Sequence, residues 1–582
     1  MKMLHLSTDE MGVLGTAAFL SGENWSGIVK NIPYYGYGQA ILYIPVFWMT
    51  QNPDLRFLLM GIENSIILSF IPVIIYIITG KYFDFEKKDS ILTAICVGLF
   101  PSYTSYTKWL WNETMLSILP VLCLFIILLL LKNRENIPRK RKLSFLLSLC
   151  TVYSFAVHGR GLGIIVAVLL LIIYIRFYFK EKFVDYLSLS LGYLLGCPCY
   201  IFIKNYLTKN LWLLEEGKSL NNTTANIVPS LKRMFNVDYI LGNFRIIMGQ
   251  FYTACMSSCG LLLLFLITLF AFYIGKIRKK NENSEYGMEE HITYVFSLLM
   301  FICAYAISIT AVSASNLDPN SRGDYPIYIR YYSHTLGLII FSVLLMFQKL
   351  RIKYTYHIIS LLGLILISFV TIWKIASFIN SGRPISNATI MNILPFIGSN
   401  PPDYVRRIDF ISLSIITLVI FIIICFLHYF KNKIYVPQLL VIVFLFVYYF
   451  NATKVILPNN QADYQKTVVP KEVMAKIDWM APYPKCYYFN LRKPWSDSML
   501  QFSLPQFQVE NTTVERIEQF KINDNSIIIS TEDLKLEILD DSFYRINDEL
   551  LNTGIDFMWV YGEDLKLFVE SNSDLDFDNA IN

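Results

Sequence analysis

Apolar residues in this chain come in long unbroken runs rather than in alternation with polar ones. Leu, Ile, Phe and Val dominate stretches near 58–79, 90–106, 114–131, 143–158, 161–179, 186–203, 257–276, 293–312, 333–347, 356–376, 410–429 and 436–450. About 20 residues of helix cross a hydrocarbon core of roughly 30 Å, so these runs predict about twelve membrane spans. Inside lipid only helices and closed barrels satisfy the backbone, and barrel strands alternate apolar and polar positions over about ten residues. The runs do not alternate, so the predicted fold class is mainly α, a polytopic bundle of transmembrane helices. Residues 38–49, Gly-Gln-Ala-Ile-Leu-Tyr-Ile-Pro-Val-Phe-Trp-Met, are too few to span and predict a helix lying at the interface.

The polar segments between the runs fall into two alternating sets. One consists of short basic loops, of which 132–142, ending in Arg139-Lys-Arg-Lys142, is the densest. The other holds both termini and the longer loops 204–256 and 377–409. Basic loops mark the cytoplasmic side, which assigns the second set to the exterior. After Asn451 the composition turns polar, and 452–582 is long enough for one small soluble domain. Lys485 to Asn490, Asn525 to Ser530 and Gly554 to Tyr561 predict strands there, and Ser496 to Phe502 a helix, which makes an α/β domain. The expected organisation is therefore a membrane domain over 1–451, with its first outer loop at 1–54, and an extracytoplasmic domain over 452–582.

Composition removes alternatives. With 54% hydrophobic and 16% charged residues, a soluble protein is excluded. The net charge of +5 sits in the short basic loops and calls for no nucleic acid partner. All of the ten cysteines except Cys486 lie in or beside apolar runs, where they act as small apolar side chains and imply no disulfide framework.

The residues able to carry chemistry cluster in the outer set. Asp9 and Glu10, in Ser7-Thr-Asp-Glu-Met-Gly, precede a segment rich in glycine and aromatics, Tyr34-Tyr-Gly-Tyr-Gly-Gln39. The simpler account of two acids before an apolar run is stabilisation of a helix start. Further charges stand at outer span ends: Lys108 and Glu113 in Thr107-Lys-Trp-Leu-Trp-Asn-Glu113, His158 and Arg160 in His158-Gly-Arg-Gly-Leu-Gly163, and Arg322, Asp324 and Arg330 in the stretch that ends at Tyr331. For any one arginine, anchoring at the interface is the simpler account. Ionisable groups at the hydrocarbon edge are costly unless they snorkel, pair or serve a ligand. Several cations beside paired acids on one side of the membrane suit a phosphate group, held by arginine in bidentate fashion and by lysine as a point charge. No metal set stands out, because the six histidines are scattered. Gly217-Lys-Ser lacks the earlier glycine of a phosphate-binding loop, Trp212 holding that position.

As an ordered set, Asp9-Glu10, Tyr35-Gly-Tyr-Gly38 followed by an apolar helix around Pro45, Asn112-Glu113 opening a span, and Tyr328-Ile-Arg-Tyr331 resemble bacterial GT-C glycosyltransferases over residues 7 to 340. The resemblance implies a GT-C-like multi-spanning fold and a polyprenyl-phosphate-linked sugar donor. It also implies a catalytic acid in the first extracytoplasmic loop, which falls on Asp9 with Glu10 beside it. Such enzymes place that loop after a first transmembrane helix, so the expectation is that one helix precedes Met1. They often end in an extracytoplasmic soluble domain, as 452–582 would be. One carboxylate acting as general base suffices when the donor carries its own phosphate leaving group, and Arg330, Arg160, Lys108 and His158 are the candidates for holding that phosphate. Glu113, Tyr331, Arg322 and Asp324 are further candidates. No particular cofactor is implied, and a divalent cation could also neutralise the phosphate. The expected function is transfer of sugar to a glycan, lipid or protein acceptor of the cell envelope, as in polysaccharide biosynthesis. The rivals are a transporter or flippase of lipid-linked glycans, which would show broken helices and deep ionisable residues, and a non-catalytic envelope assembly protein.

Overall fold

The structure, a computed structural model, describes residues 6, 8–214, 237–278, 287–313, 322–350, 352–382, 385, 391–400, 405–430, 435–489, 496–512, 525–531, 533–534, 542–551 and 556–579. Gly217-Lys-Ser, the Asn490 end of one predicted strand and Gly554 at the start of another lie outside the described residues.

Each predicted span falls on helix. Among the described residues, eight helices are long and apolar enough to cross a membrane, and nine if a pair bent by 102° between Gly242–Ser257 and Leu261–Tyr273 counts as one span. The predicted spans outside that set differ for local reasons. The run 90–106 is interrupted ahead of Pro101 and becomes two helices, α5 (Lys87–Gly98) and α6 (Pro101–Tyr106), because a residue before proline is driven out of the helical region. The run 257–276 begins after Cys259 and Gly260, both at positive φ, so its helix turns back on the one before it. The run 143–158 is the second part of α8 (Ile137–Val157), whose first turns are the basic residues Arg139 to Lys142. The run 333–347 forms a helix of 17 residues, Ser333–Lys349, buried over nearly its whole length.

The helices that frame the site come from the first part of the chain. Helix α1 (Thr8–Leu20) is followed by the short α2 (Ser26–Val29), by α3 (Gly38–Met49) and by the long α4 (Pro53–Tyr82). Helix α7 (Glu113–Lys132) is the central one; α4 and α8 both pack on it, and α3 touches all three. Residues 38–49 do form a short helix, which buries Gln39, Tyr43 and Phe47 and exposes Trp48 and Met49. By contrast Tyr186–Asn210 exposes most of its apolar surface, as a lipid-facing helix would, and meets α8 where Gly192 and Gly196 let Ser148 and Val152 approach.

A two-stranded antiparallel ladder, β1 (Ile397–Asn400) with β2 (Val405–Ile408), precedes the last two apolar helices. The second of these, Tyr435–Phe450, continues through one π-helical stretch, Asn451–Ile456, into Leu457–Met474. Beyond it lies a six-stranded sheet of β3 (Lys485–Phe489), β4 (Val509–Thr512), β5 (Ser526–Ser530), β6 (Phe543–Asn547), β7 (Phe557–Tyr561) and β8 (Asp576–Asn579), in the order β4-β3-β5-β7-β6-β8. Strand β3 runs parallel to both neighbours and the other pairings are antiparallel. The apolar Ile527-Ile-Ile529 suits the buried centre of the sheet. This region shares a hydrophobic cluster with the first loop: Trp25 packs on Phe47 and Phe502, and Lys30 pairs with Glu510 at 2.8 Å. At Gly27 a Cβ would stand 2.4 Å from the Val509 carbonyl oxygen, so only glycine permits this approach.

Candidate active site

Asp9 and Glu10 occupy the first turn of α1. Successive residues of a helix project about 100° apart, so the two acids diverge. Glu10 is fully buried and its Oε1 accepts the Leu110 backbone N–H at 2.7 Å, which ties α1 to the loop ahead of α7. Asp9 turns the other way, with its side chain 29% exposed, and its Oδ2 receives Arg330 Nη1 at 2.6 Å. Both acids also lie at the positive end of the helix dipole, so the capping account and the site coexist.

Behind Asp9 the charges alternate. Arg330 Nε donates to Glu113 Oε1, and Arg160 Nη2 donates to the same oxygen at 2.6 Å. Arg160 is otherwise occupied: its Nη1 reaches the Arg330 carbonyl at 3.4 Å, and its Nε and backbone N–H reach His158 Nδ1 at 3.4 and 3.0 Å. Rings line the cluster. Arg330 lies 3.7 Å from the Trp111 ring centre, Arg160 lies 4.5 Å from that of Tyr331, and Tyr35 stacks on His158 at 5.5 Å. Two carboxylates and two guanidinium groups sum to zero formal charge, which is how Glu113 can be 1% exposed at the head of a membrane helix. Two atoms in this ring have no partner among the described residues: Arg330 Nη2, and Glu113 Oε2, which is buried.

The electrostatics follow from this packing. Burial, with the Arg160 and Arg330 cations beside it, holds His158 well below the ordinary histidine range and therefore neutral. Burial and the neighbouring Asp9 carboxylate raise Tyr35 above the ordinary tyrosine range. Burial opposes the charge on Arg330, but Glu113 and Asp9 outweigh it and hold the guanidinium charged.

Two glycine motifs build one joint. Gly36 has φ +119°, and a Cβ there would meet the Val157 carbonyl oxygen at 2.4 Å; one on Gly161 would meet that of Ser154 at 2.0 Å. Tyr37 N–H then bonds the Ala156 carbonyl at 2.8 Å, which docks Tyr35-Gly-Tyr-Gly38 on the end of α8 and lays Tyr35 on His158. A buried polar network steadies the other wall. Asn64 donates to the Trp109 carbonyl at 3.1 Å, accepts from Tyr43 at 2.9 Å and from Gln39 at 3.2 Å, and Gln39 accepts the Met115 N–H at 3.3 Å. Sequence reasoning missed Trp111, Gln39 and Asn64 as parts of the site. Asn64 was the detectable one, since an amide inside an apolar run needs a partner.

The predicted residues thus separate into three groups. Asp9, Glu113, Arg160, His158, Arg330 and Tyr331 come together, with Glu10 clamping the wall. Arg322 and Asp324 pair with each other, Nε to Oδ1 at 2.9 Å, with Arg322 5.7 Å from the ring centres of Tyr325 and Tyr328. Lys108 is exposed and has no ion-pair partner among the described residues. Among those residues no three His, Cys, Asp or Glu side chains gather as metal ligands. The site stands at the Val157 end of α8 and Arg139 to Lys142 near its other end, about 25 Å away along the helix.

The chain matches no protein-family model and no curated protein. Among solved structures it is similar to ArnT from Cupriavidus metallidurans bound to undecaprenyl phosphate, with a TM-score of 0.52 and 11% identity over 97% of this chain and 95% of that one. The apo state of the same protein aligns over the same shares at a TM-score of 0.49 and 12% identity. The likeness to the lipid-bound structure is one of fold, and it is the GT-C-like helical fold that the sequence resemblance implies.

Proposed function

We propose that the chain is an integral membrane glycosyltransferase that moves a sugar from a polyprenyl-phosphate donor to an envelope glycan, lipid or protein, on the extracytoplasmic face. The observation that carries this reading is the Asp9–Arg330 contact. A partly exposed carboxylate, fit to take a proton, stands 2.6 Å from a buried guanidinium fit to hold a phosphate. In the reaction the acceptor hydroxyl attacks the anomeric carbon while Asp9 takes its proton. The bond from that carbon to the phosphate oxygen breaks, its electron pair leaves with the phosphate, and the unpaired Nη2 of Arg330 stabilises the charge that develops. Glu113 and Arg160 hold Arg330 in place. Glu10 supports Asp9 by fixing α1.

An assay for free polyprenyl phosphate tests the reading, since a transferase generates it and neither a flippase nor an assembly protein does. Orientation is tested separately, with single cysteines at Arg139 and at Met480 in a cysteine-depleted background. Cys486 is unsuitable because it is buried in β3. Labelling from outside at Met480 and not at Arg139 supports an exterior site and an exterior domain over 452–582; the reverse pattern inverts the scheme.

A further inference from the structure

The connection between α1 and α3 is wedged against the six-stranded sheet region. All four residues of α2 are buried, and α2 touches β4, the helix Ser496–Ser503 and α1. Trp25, just ahead of α2, has no exposed surface; its ring lies 6.0 Å from that of Phe502 on the sheet side and 5.6 Å from that of Phe47 on α3. At Gly27 two backbones meet, since the Val509 carbonyl oxygen, 2.4 Å from where a Cβ would stand, cannot swing aside as a side chain could. Lys30 and Glu510 pair at 2.8 Å across the same contact. The other side of α2 bears on α1 just as closely. A Cβ on Gly15 would stand 2.3 Å from Val29 Cγ2, and Val29 is fully buried, with no free space to turn into. A Cβ on Gly12 would meet the Pro33 carbonyl oxygen at 3.3 Å, and Gly12 is three residues from Asp9, on the same flank of α1.

We propose that the sheet region sets the position of Asp9 through this stack, with Gly27 as the positioning residue: β4 bears on α2, α2 on α1, and α1 carries the carboxylate. The proposal rests on the reading of Asp9 as general base. Packed interiors transmit displacement because they have no slack. Helix α1 has 13 residues and moves as a rod, so a shift where Val29 meets Gly15 reaches Asp9, six residues or about 9 Å along it. The contact from Asp9 to Arg330 is 2.6 Å long, and a displacement of about 1 Å can cost a hundredfold in a reaction that depends on alignment. The sheet region thus acts on the reaction without touching the substrate.

The test uses the full chain. Gly27→Ala forces α2 off β4, Lys30→Glu loosens the same contact mildly, and Gly61→Ala on α4, where the nearest atom to the new Cβ is 3.7 Å away, is the control. Gly27→Ala should lower kcat about a hundredfold with the donor KM nearly unchanged, and should speed amide hydrogen exchange over residues 8–20 but not over α7. Lys30→Glu should lower kcat about threefold, as suits a partly exposed pair, and Lys30→Glu combined with Glu510→Lys should restore it. Gly61→Ala should match wild type. Exchange over 8–20 that stays at the wild-type rate in Gly27→Ala means that α2 carries no shift, and faster exchange with full turnover means that Asp9 does not depend on it. Either result overturns the proposal, as does a loss in Lys30→Glu that the charge swap fails to reverse; the swap decides if Gly27→Ala does not fold. If wild type transfers no sugar, the assignment of Asp9 as base fails instead, and the exchange rates still decide whether β4 governs α1.

Discussion

Arg56, Arg160 and Arg330 are the buried arginines among the described residues, and the first and last of them are spent differently. Arg56 has no exposed surface, and all its donor groups are taken. Its Nε bonds the Thr50 carbonyl at 2.6 Å, its two terminal nitrogens grip Glu23 side by side at 3.1 and 2.5 Å, and it lies 4.4 Å from the Phe47 ring centre. Arg330 is nearly as buried but divides itself between two carboxylates from different helices, one of them partly exposed, and leaves Nη2 unpaired. Burial and charge are alike, so neither distinguishes a fastener from a working group. What differs is whether the hydrogen-bonding capacity is used up and whether a partner reaches the surface.

The largest effect expected from this contrast is at Asp9, the exposed end of the Arg330 chain. Asp9→Asn keeps the shape and the helix-start preference but removes the basicity, so turnover should fall by roughly two to four orders of magnitude with the fold intact. Transfer within a few-fold of wild type would reduce Asp9 to a cap. Glu10→Gln should mainly loosen the tie to Leu110, visible as a lower Tm. If Glu10→Gln were the inactive variant, the base would move by one residue.

Arg56→Ala should show the opposite profile. It leaves Glu23 without its partner and removes the carbonyl bonds to Thr50 and Phe47, so stability should drop by about 3 kcal/mol, at the lower end for a broken buried pair because Glu23 is partly exposed. The specific activity of whatever folds should be unchanged. Thermal denaturation beside transfer assays separates the two outcomes, and a stable but inactive Arg56→Ala would collapse the distinction.

Much of this was legible before any coordinates. Long apolar runs report helices directly, because the bilayer sets their length, and the polar tail betrayed its strands through runs such as Ser526-Ile-Ile-Ile. The breaks were harder. Pro101 was visible, but the turn at Cys259-Gly260 depends on backbone angles no periodicity records. In the site, charges at span ends pointed to Glu113, Arg160 and Arg330, because charge at the membrane edge needs a reason, while the paired acids ahead of a Gly- and Tyr-rich segment pointed to Asp9. Which charges would meet was not legible, since Asp9 and Arg330 are 321 positions apart. Neighbours in sequence misled in the other direction: Asp9 and Glu10 are adjacent yet face different partners, and Arg322 spends itself on Asp324 rather than on the cluster.

Arg330→Ala comes next in size. It removes a charge-assisted contact worth about 1.5 to 3 kcal/mol, or roughly ten- to a hundredfold in donor use. It also frees Asp9 and strands Glu113 with Arg160 alone, so Arg330→Lys is the cleaner probe: it keeps the charge, loses the fork, and should recover only part of the donor affinity. Unchanged donor affinity and turnover in both variants would make Arg330 a second Arg56.

The smallest effect concerns a buried acid with no arginine at all. Asp556, ahead of β7, is 2% exposed, its Oδ2 has no partner among the described residues, and burial pushes its carboxyl up to about 7. A folded-state value above the unfolded one, about 3.9, means that the folded protein holds the proton more tightly. The stability this contributes is complete below about pH 4 and is lost as the pH rises to about 7, where the carboxylate ionises without a cation beside it. Asp556→Asn cannot ionise, so it should raise the Tm at pH 8 and leave it nearly unchanged at pH 4. Measured across that range, the gap between variant and wild type should open with increasing pH. A gap that is constant, or that closes as the pH rises, would mean that a cation faces Asp556 in solution and that burial alone does not govern it.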